Sequence, residues 1–246
     1  MYNFLIKIEY DGTKFVGWQY QKNGVSIQEK IEQALKKVLN CNIKIIGAGR
    51  TDKGVHAFSQ FANFLVTKKI EDNNKFLNSM NFFLSKNLIS IIEVKEKKKD
   101  FHARHHAKER VYEYQIVNRQ GSLSIDKNKS WHIKKKIDMN LLKKGARLLE
   151  GTHDFSTFRA ASCSAKSPIK KMNFIKILRR EGKILIRFSS KSFLQNQVRS
   201  MVGSLKYLST SKWNYDYFKK VFKSKKRVKC APPAPACGLY LFKIKY

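Results

Sequence analysis

The chain has 246 residues, 42% hydrophobic and 12% aromatic, enough apolar material for one large domain or two ordinary ones, which excludes a disordered polymer. Lysine and arginine number 51 against 18 acidic residues, for a formal net charge of +33. No neutral metabolite needs such a field, so nucleic acid is the first expected partner class and a membrane surface the second.

The start, MYNFLIKIEYDG, has no basic segment leading into an apolar core, so no signal peptide is expected. No run approaches the ~20 apolar residues of a membrane helix, and neither a lone basic amphipathic helix nor a lipidation signal stands out. Cys41, Cys163, Cys230 and Cys237 form no C-x-x-C pair, the pattern of reduced thiols in a cytoplasmic protein.

Phe4 to Tyr10 alternates apolar and polar residues and predicts a strand, ended by Asp11-Gly12. Ser26-Ile27-Gln28-Glu29 is a capping box opening a helix with Ile27, Ile31, Leu35 and Val38 inward. Ile43 to Ile46 and the run from Ala57 predict two strands around a charged corner, Gly47 to His56. Residues 72–74 offer caps for a helix burying Phe76, Leu77, Met80, Phe83 and Leu84, and Leu88 to Val94 is another strand. The order so far is β-α-β-β-α-β, the ferredoxin-like arrangement.

A linker, Lys95 to Asp100, separates this from a second such series. Arg110 to Val117 is a strand, followed after an insertion by a helix from Asp138 to Gly151. Thr152 to Lys171 reads as loop, and Met172 to Leu178 with Lys183 to Ser189 as a hairpin about Glu181-Gly182. A helix from Ser192 to Leu208 places Phe193, Val198, Met201, Val202 and Leu205 inward, with a short helix at Tyr215 to Phe222 and a closing strand at Gly238 to Tyr246. The expected fold class is α+β: two ferredoxin-like halves, 1–100 and 101–246, with antiparallel sheets joined around a central basic cleft.

The corner GAGRTDKGVH carries Asp52 two residues from Arg50, so strand geometry would point both to one side. By itself, Thr51-Asp52-Lys53-Gly54 is equally the composition of an ordinary turn. His102, His105 and His106 have helical metal-ligand spacing, but Arg104, Lys108 and Arg110 around them oppose a cation, and no metal is expected.

Seven blocks now stand in one order: IEYDGTKFVGWQ, GAGRTDKGVHAFSQ, DFHARHHA, RVYEYQIVN, HDFSTFRA, FLQNQVRSMVGSL and GLYLFKIKY. On these blocks, which span nearly the whole chain, the sequence resembles the tRNA pseudouridine synthase A family. The resemblance implies isomerisation of uridine to pseudouridine at positions 38 to 40 of the tRNA anticodon stem-loop, without cofactor, by a homodimer of two ferredoxin-like halves.

Residue by residue, the resemblance implies that Asp52 is the catalytic carboxylate. Isomerisation breaks the C1′–N1 bond, turns the uracil and joins C1′ to C5. A carboxylate can attack covalently or balance positive charge on the sugar. The residues leave open which it does, and whether sugar or base is attacked. Arg50 matches the base-flipping position and Tyr112 the tyrosine that stacks on the target base. Arg199, inside an apolar helix stretch, would pair with Asp52 and keep it ionised, and Leu239 would pack beneath the base. Phe101, His102, Ala103, Arg104 and His105, with Ser162, Cys163, Ser164, Ala165 and Lys166, match RNA-contacting segments, Arg104 being the natural phosphate ligand. The chain departs from the family at Cys230-Ala231-Pro232-Pro233 and at Gln195-Asn196-Gln197. A catalytically silent RNA-binding protein would share the charge and the fold, and only Asp52 separates the two classes.

Overall fold

In the computed structural model, which describes residues 1–246, the chain forms two compact units: Met1–Lys108 with Tyr240–Tyr246, and Glu109–Leu239. In the first unit the elements run β1 (Tyr2–Tyr10), α1 (Ile27–Leu39), β2 (Ile46–Gly47), β3 (His56–Val66), α2 (Asn73–Leu84) and β4 (Ile89–Lys97). β1 lies between β4 and β3, antiparallel to both. The other edge of β3 is shared. β2 pairs antiparallel at Asn63 and Ala62, while β10 (Leu239–Lys245) pairs parallel at His56 and Ala57. The spatial order β4-β1-β3-β2 is that of a ferredoxin-like sheet, as expected.

Both helices begin where the sequence places caps. The Ser26 hydroxyl accepts the Glu29 N–H at 3.1 Å while the Glu29 carboxylate accepts the Ser26 N–H at 3.4 Å, so two orphan donors of α1 are met. Asp72 accepts the Lys75 N–H at the start of α2. Ile27, Ile31 and Leu35 of α1 and Phe76, Met80 and Leu84 of α2 are buried, and Phe64 stacks between Phe4 and Phe76, knitting both strands to a helix. Val38 and Leu77 are only half-buried, and Phe83 is turned outward beside Phe82. Phe83 is three residues beyond Met80, yet it lies on the solvent side of the last turn, where Lys37 covers its ring.

In the second unit the order is β5 (Glu109–Asn118), β6 (Trp131–Ile133), α3 (Met139–Leu148), β7 (Gly151–Asp154), β8 (Ile169–Arg180), β9 (Lys183–Ser190), α4 (Gln197–Ser209) and α5 (Tyr215–Lys223). β9 lies between β5 and β8, β7 extends the sheet beyond β8, and β6 adds a parallel stub to β5. With β10 this is the second β-α-β-β-α-β series, decorated by β6, β7 and α5. Phe155, Phe158, Phe218 and Phe222 fill its core together with Leu205, Leu208 and Ile186.

Several expectations are corrected. The predicted strand Ile43–Ile46 pairs only at Ile46–Gly47: Ile43 and Ile45 are buried, so the apolar run is core material without a ladder. Lys95–Lys97 belong to β4 rather than to a linker, since a charged edge strand can keep its side chains in water. Within the predicted loop Thr152 to Lys171, Gly151–Asp154 is a strand paired to β8, which itself begins at Ile169. The helix expected from Ser192 begins at Gln197, because Asn196 adopts φ +60° and the Gln197 side chain accepts the Leu194 N–H at 2.8 Å, fixing a non-helical entry. Residues 101–108, expected with the second half, belong to the first unit.

The loop after β1 folds back on the corner Gly47 to His56. Gly17 has φ +122°, and a Cβ there would stand 2.6 Å from the Thr51 carbonyl oxygen; one on Gly12 would stand 2.0 Å from that of Val55. Neither position has room for a side chain. Gly17→Ala is therefore expected to lower the unfolding free energy by about 2 kcal/mol or more in urea titrations. Ser26→Ala, which removes one cap bond from a helix whose core is untouched, should cost about 1 kcal/mol by the same measurement.

Candidate active site

Asp52 sits in the loop between β2 and β3, after the ladder has ended. Ala48 N–H still bonds the Phe61 carbonyl and the Gln60 amide still reaches the Gly49 carbonyl; beyond that the chain leaves β3. The loop is then held from the opposite side. Thr51 carbonyl accepts the Trp18 N–H at 3.0 Å, the Thr51 hydroxyl lies 2.7 Å from the Tyr10 hydroxyl, and Asp52 forms a β-bridge with Gly17. A turn follows, with Val55 N–H on the Asp52 carbonyl and Gly54 at φ +75°. The turn reading of T-D-K-G is thus correct for the backbone. Thr51 is buried while Arg50 is exposed and Asp52 half-exposed, so the fixed residue points in and its two neighbours are accessible.

Next to the corner, buried His56 stacks on Tyr240 at 4.7 Å, and its Nδ1 lies 3.1 Å from Gly12 N and 3.2 Å from Asp11 Oδ1. One nitrogen cannot both accept and donate. The Gly12 N–H can only donate, and its direction is set by the backbone, so Nδ1 accepts it. Asp11 then caps its own loop, taking the Thr13 N–H at 2.9 Å.

Phe101 to His105 form a tight turn rather than a helix. Ala103 and Ala107 are buried, and Arg104, His105 and His106 between them are exposed. The Phe101 ring stacks on His106 at 5.3 Å and leans on Tyr246. His102 Nδ1 accepts the Arg104 N–H at 3.2 Å and His106 Nδ1 the His102 N–H at 2.9 Å, so those lone pairs face backbone donors instead of a cation. Burial, then neighbouring His105, hold the His102 imidazole below its ordinary pKa.

The remaining predicted residues lie in the second unit. Tyr112, on β5, is mostly covered and meets Phe193 edge-on at 5.1 Å. Tyr114, two residues along, is fully buried and donates to the Pro235 carbonyl at 2.7 Å; burial pushes its phenol well above the ordinary value, Cys237 adds to this and Arg199 opposes it. Arg199 of α4 is half-buried, its Nε donating to the Ala234 carbonyl at 2.7 Å and its Nη1 to Asn196 Oδ1 at 3.2 Å. Leu239 is buried at the start of β10. Ser162 to Lys166 form a loop pinned by Arg159, whose Nη2 donates to the carbonyls of Cys163 and Ala165 at 2.6 and 2.8 Å. Burial pushes the Cys163 thiol up, but the N–H groups of Ala165 and Gln195 and the Arg159 guanidinium outweigh it and hold the thiol below its ordinary value.

Sequence reasoning missed the residues that hold these loops: Gly17 and Trp18 against Asp52, Gln195 against the 160–163 segment, and Asn3 with Asn63 beneath residues 98–103. The asparagines gave no signal, since in both strands they alternate with the core positions Phe4, Ala62 and Phe64 and so read as solvent-facing. No helix is long and apolar enough to cross a membrane. A depression of 480 Å³ on α5, lined by Lys219, Lys220, Lys223, Lys229, Asp216 and Ser224, is a basic surface that contains none of the predicted residues.

The family model described as tRNA pseudouridine synthase matches residues 6–106 and 146–246, one segment in each half. A tRNA pseudouridine synthase A of Pelagibacter ubique is 53% identical over 246 residues, covering all of both chains. Those of Maricaulis maris and of Thermoanaerobacter sp. (strain X514) are 39% and 41% identical over the whole of this chain and 98% and 100% of theirs. The solved Cbf5-Nop10-Gar1 complex superposes at a TM-score of 0.35 and 13% identity over 83% of this chain and 54% of that one, too low to carry weight. Full-length identity at this level, with the motif order intact through both halves, shows that the chain belongs to the tRNA pseudouridine synthase family, a family of isomerases.

Proposed function

We propose that the chain converts uridine to pseudouridine at positions 38 to 40 of the tRNA anticodon stem-loop, with Asp52 as the catalytic carboxylate. The observation that carries this reading is how Asp52 is held: its backbone is tied on both sides, by the Gly17 bridge and the Val55 turn bond, in a residue that stays half-exposed.

The reaction leaves the atom count unchanged. The C1′–N1 bond breaks, uracil turns, C1′–C5 forms, and the proton lost from C5 is matched by one gained at N1. No electrons are exchanged, so acid–base groups suffice and no cofactor is invoked. A pinned carboxylate serves either as a nucleophile that holds the detached fragment or as a counter-charge for C1′ while the base turns. Arg50, exposed two residues away, occupies the stem position left by the extruded nucleotide. Tyr112 stacks on the flipped uracil, Leu239 packs beneath it, and Arg199 supplies the cation that keeps Asp52 ionised. The reading requires these three second-unit residues to act on the same uridine as Asp52. The 101–105 turn and the 162–166 loop bind the RNA backbone, and the net charge of +33 supplies the long-range attraction. The same reading has the enzyme working in the cytoplasm as a homodimer, in keeping with four free thiols.

Asp52→Asn is nearly isosteric and keeps the backbone ties. It should lower tritium release from 5-tritiated uridine in tRNA by roughly 10⁴-fold or more while changing tRNA affinity less than about threefold. Isomerisation at the unaltered rate would remove Asp52 from the chemistry. Filter-binding titrations across salt should give a log–log slope of about −0.7 to −0.9 per phosphate contacted, and a flat response would contradict a phosphate-dominated interface.

A further inference from the structure

Asn3 and Asn63 are 1% and 2% exposed, amides on the face of β1 and β3 opposite the one that carries Phe4, Ala62 and Phe64 against α2. The strand register sets Leu5 opposite Asn63 and Asn3 opposite Leu65, so the two asparagines are diagonal neighbours. Burying an amide costs free energy unless its donors and acceptors are met, and an apolar pair of similar size would serve the sheet as well. Asn63 Nδ2 donates to Asn3 Oδ1 at 3.0 Å, which locks the two together. Their remaining capacity goes to one short stretch of main chain. Asn3 Nδ2 donates to the carbonyls of Phe101 at 2.8 Å and Lys98 at 3.1 Å, and Asn63 Oδ1 accepts the Ala103 N–H at 2.8 Å. Asn63 Nδ2 also reaches the Phe101 carbonyl at 3.3 Å. Tyr246 closes the set by donating its hydroxyl to the Ala103 carbonyl at 3.1 Å.

The stretch so held leads directly into the turn that displays Arg104, His105 and His106. A surface turn that only connects β4 to β5 needs no such anchorage, since water would satisfy its backbone. The anchoring bonds stop at Ala103, one residue before the exposed guanidinium. We propose that the Asn3–Asn63 pair is a positioning device for RNA binding, holding the 101–106 turn in the conformation that offers Arg104 to a backbone phosphate. Because the turn is ordered before RNA arrives, binding does not have to meet the entropy of ordering it. Asn3 and Asn63 never touch the substrate, and they act on it only through the main chain of residues 98–103. The inference rests on the assignment of this turn to RNA in the preceding reading.

A double-mutant cycle separates the two. Steady-state kinetics on full-length tRNA would be run for Asn63→Ala, Arg104→Ala and the double variant, each shown to be folded by circular dichroism at the assay temperature. Asn63→Ala is expected to raise KM about tenfold with kcat altered less than about twofold, and Arg104→Ala in that background to add less than about twofold more, since the guanidinium has already lost its place. Asn3→Ala, which releases Lys98 and Phe101 but leaves the Asn63–Ala103 bond, should give a smaller shift of the same kind and serves if Asn63→Ala does not fold. If Arg104→Ala raises KM while Asn63→Ala lowers only the melting temperature, or if the two effects multiply in full, the positioning role is overturned and the RNA assignment survives. If Arg104→Ala leaves KM unchanged, the RNA assignment of the turn falls, and the positioning role with it.

Discussion

The feature on which the candidate site depends is a contact between two pieces of backbone. Residues 12 to 18 lie so close to residues 51 to 55 that a Cβ on Gly12 or Gly17 would overlap a carbonyl oxygen. That closeness lets the Asp52–Gly17 bridge and the Trp18–Thr51 bond form where the β2–β3 ladder has already ended. A loop without ladder bonds would otherwise have many conformations, and a carboxylate on it would be aimed nowhere in particular. Buried Thr51 turns the pin into an orientation, since its hydroxyl is held by Tyr10 and its neighbours on either side are left facing out.

The same solution recurs in other loops the functional reading uses. The 98–103 stretch is held by buried amides, the 163–165 stretch by the Arg159 guanidinium, and Ala234 by the Arg199 Nε. In each case a side chain from outside the stretch donates to or accepts from its main chain. The loop's own side chains, Arg104 and Lys166 among them, remain exposed. In a chain of net charge +33 this division of labour matters. Mobile surface lysines supply attraction without geometry, whereas recognition of one uridine needs groups whose place is set before the RNA arrives.

The errors of the sequence reading share a cause. Ile43 to Ile46 was an apolar run, and burial without pairing produces the same run as burial in a ladder. Ser192 to Asn196 continued a helical apolar period, but the αL conformation of Asn196 and the Leu194–Gln197 bond replace the expected first turn. Phe83 obeyed the period of α2 and still faces solvent, because only the Lys37 side chain lies over its ring. Where a cap was read from chemistry as well as period, at Ser26, Asp72 and Asp138, the helix starts where it was expected.

By itself, then, the sequence determined what depends on neighbours along the chain: the caps, the alternation of β1 and β3, the turn at Glu181-Gly182, the duplicated element order and the basic charge. The block Gly47 to His56 could also be read locally, as a turn bearing a carboxylate. Only the tertiary structure decided that this turn is clamped by Gly17 and Trp18, that Asn3 and Asn63 reach under residues 98–103, and that β10 runs parallel to β3 beside His56. Those contacts join residues tens to nearly two hundred positions apart. No periodicity records such pairings, because each partner taken alone is an unremarkable glycine, asparagine or tyrosine whose role exists only once the other is brought beside it.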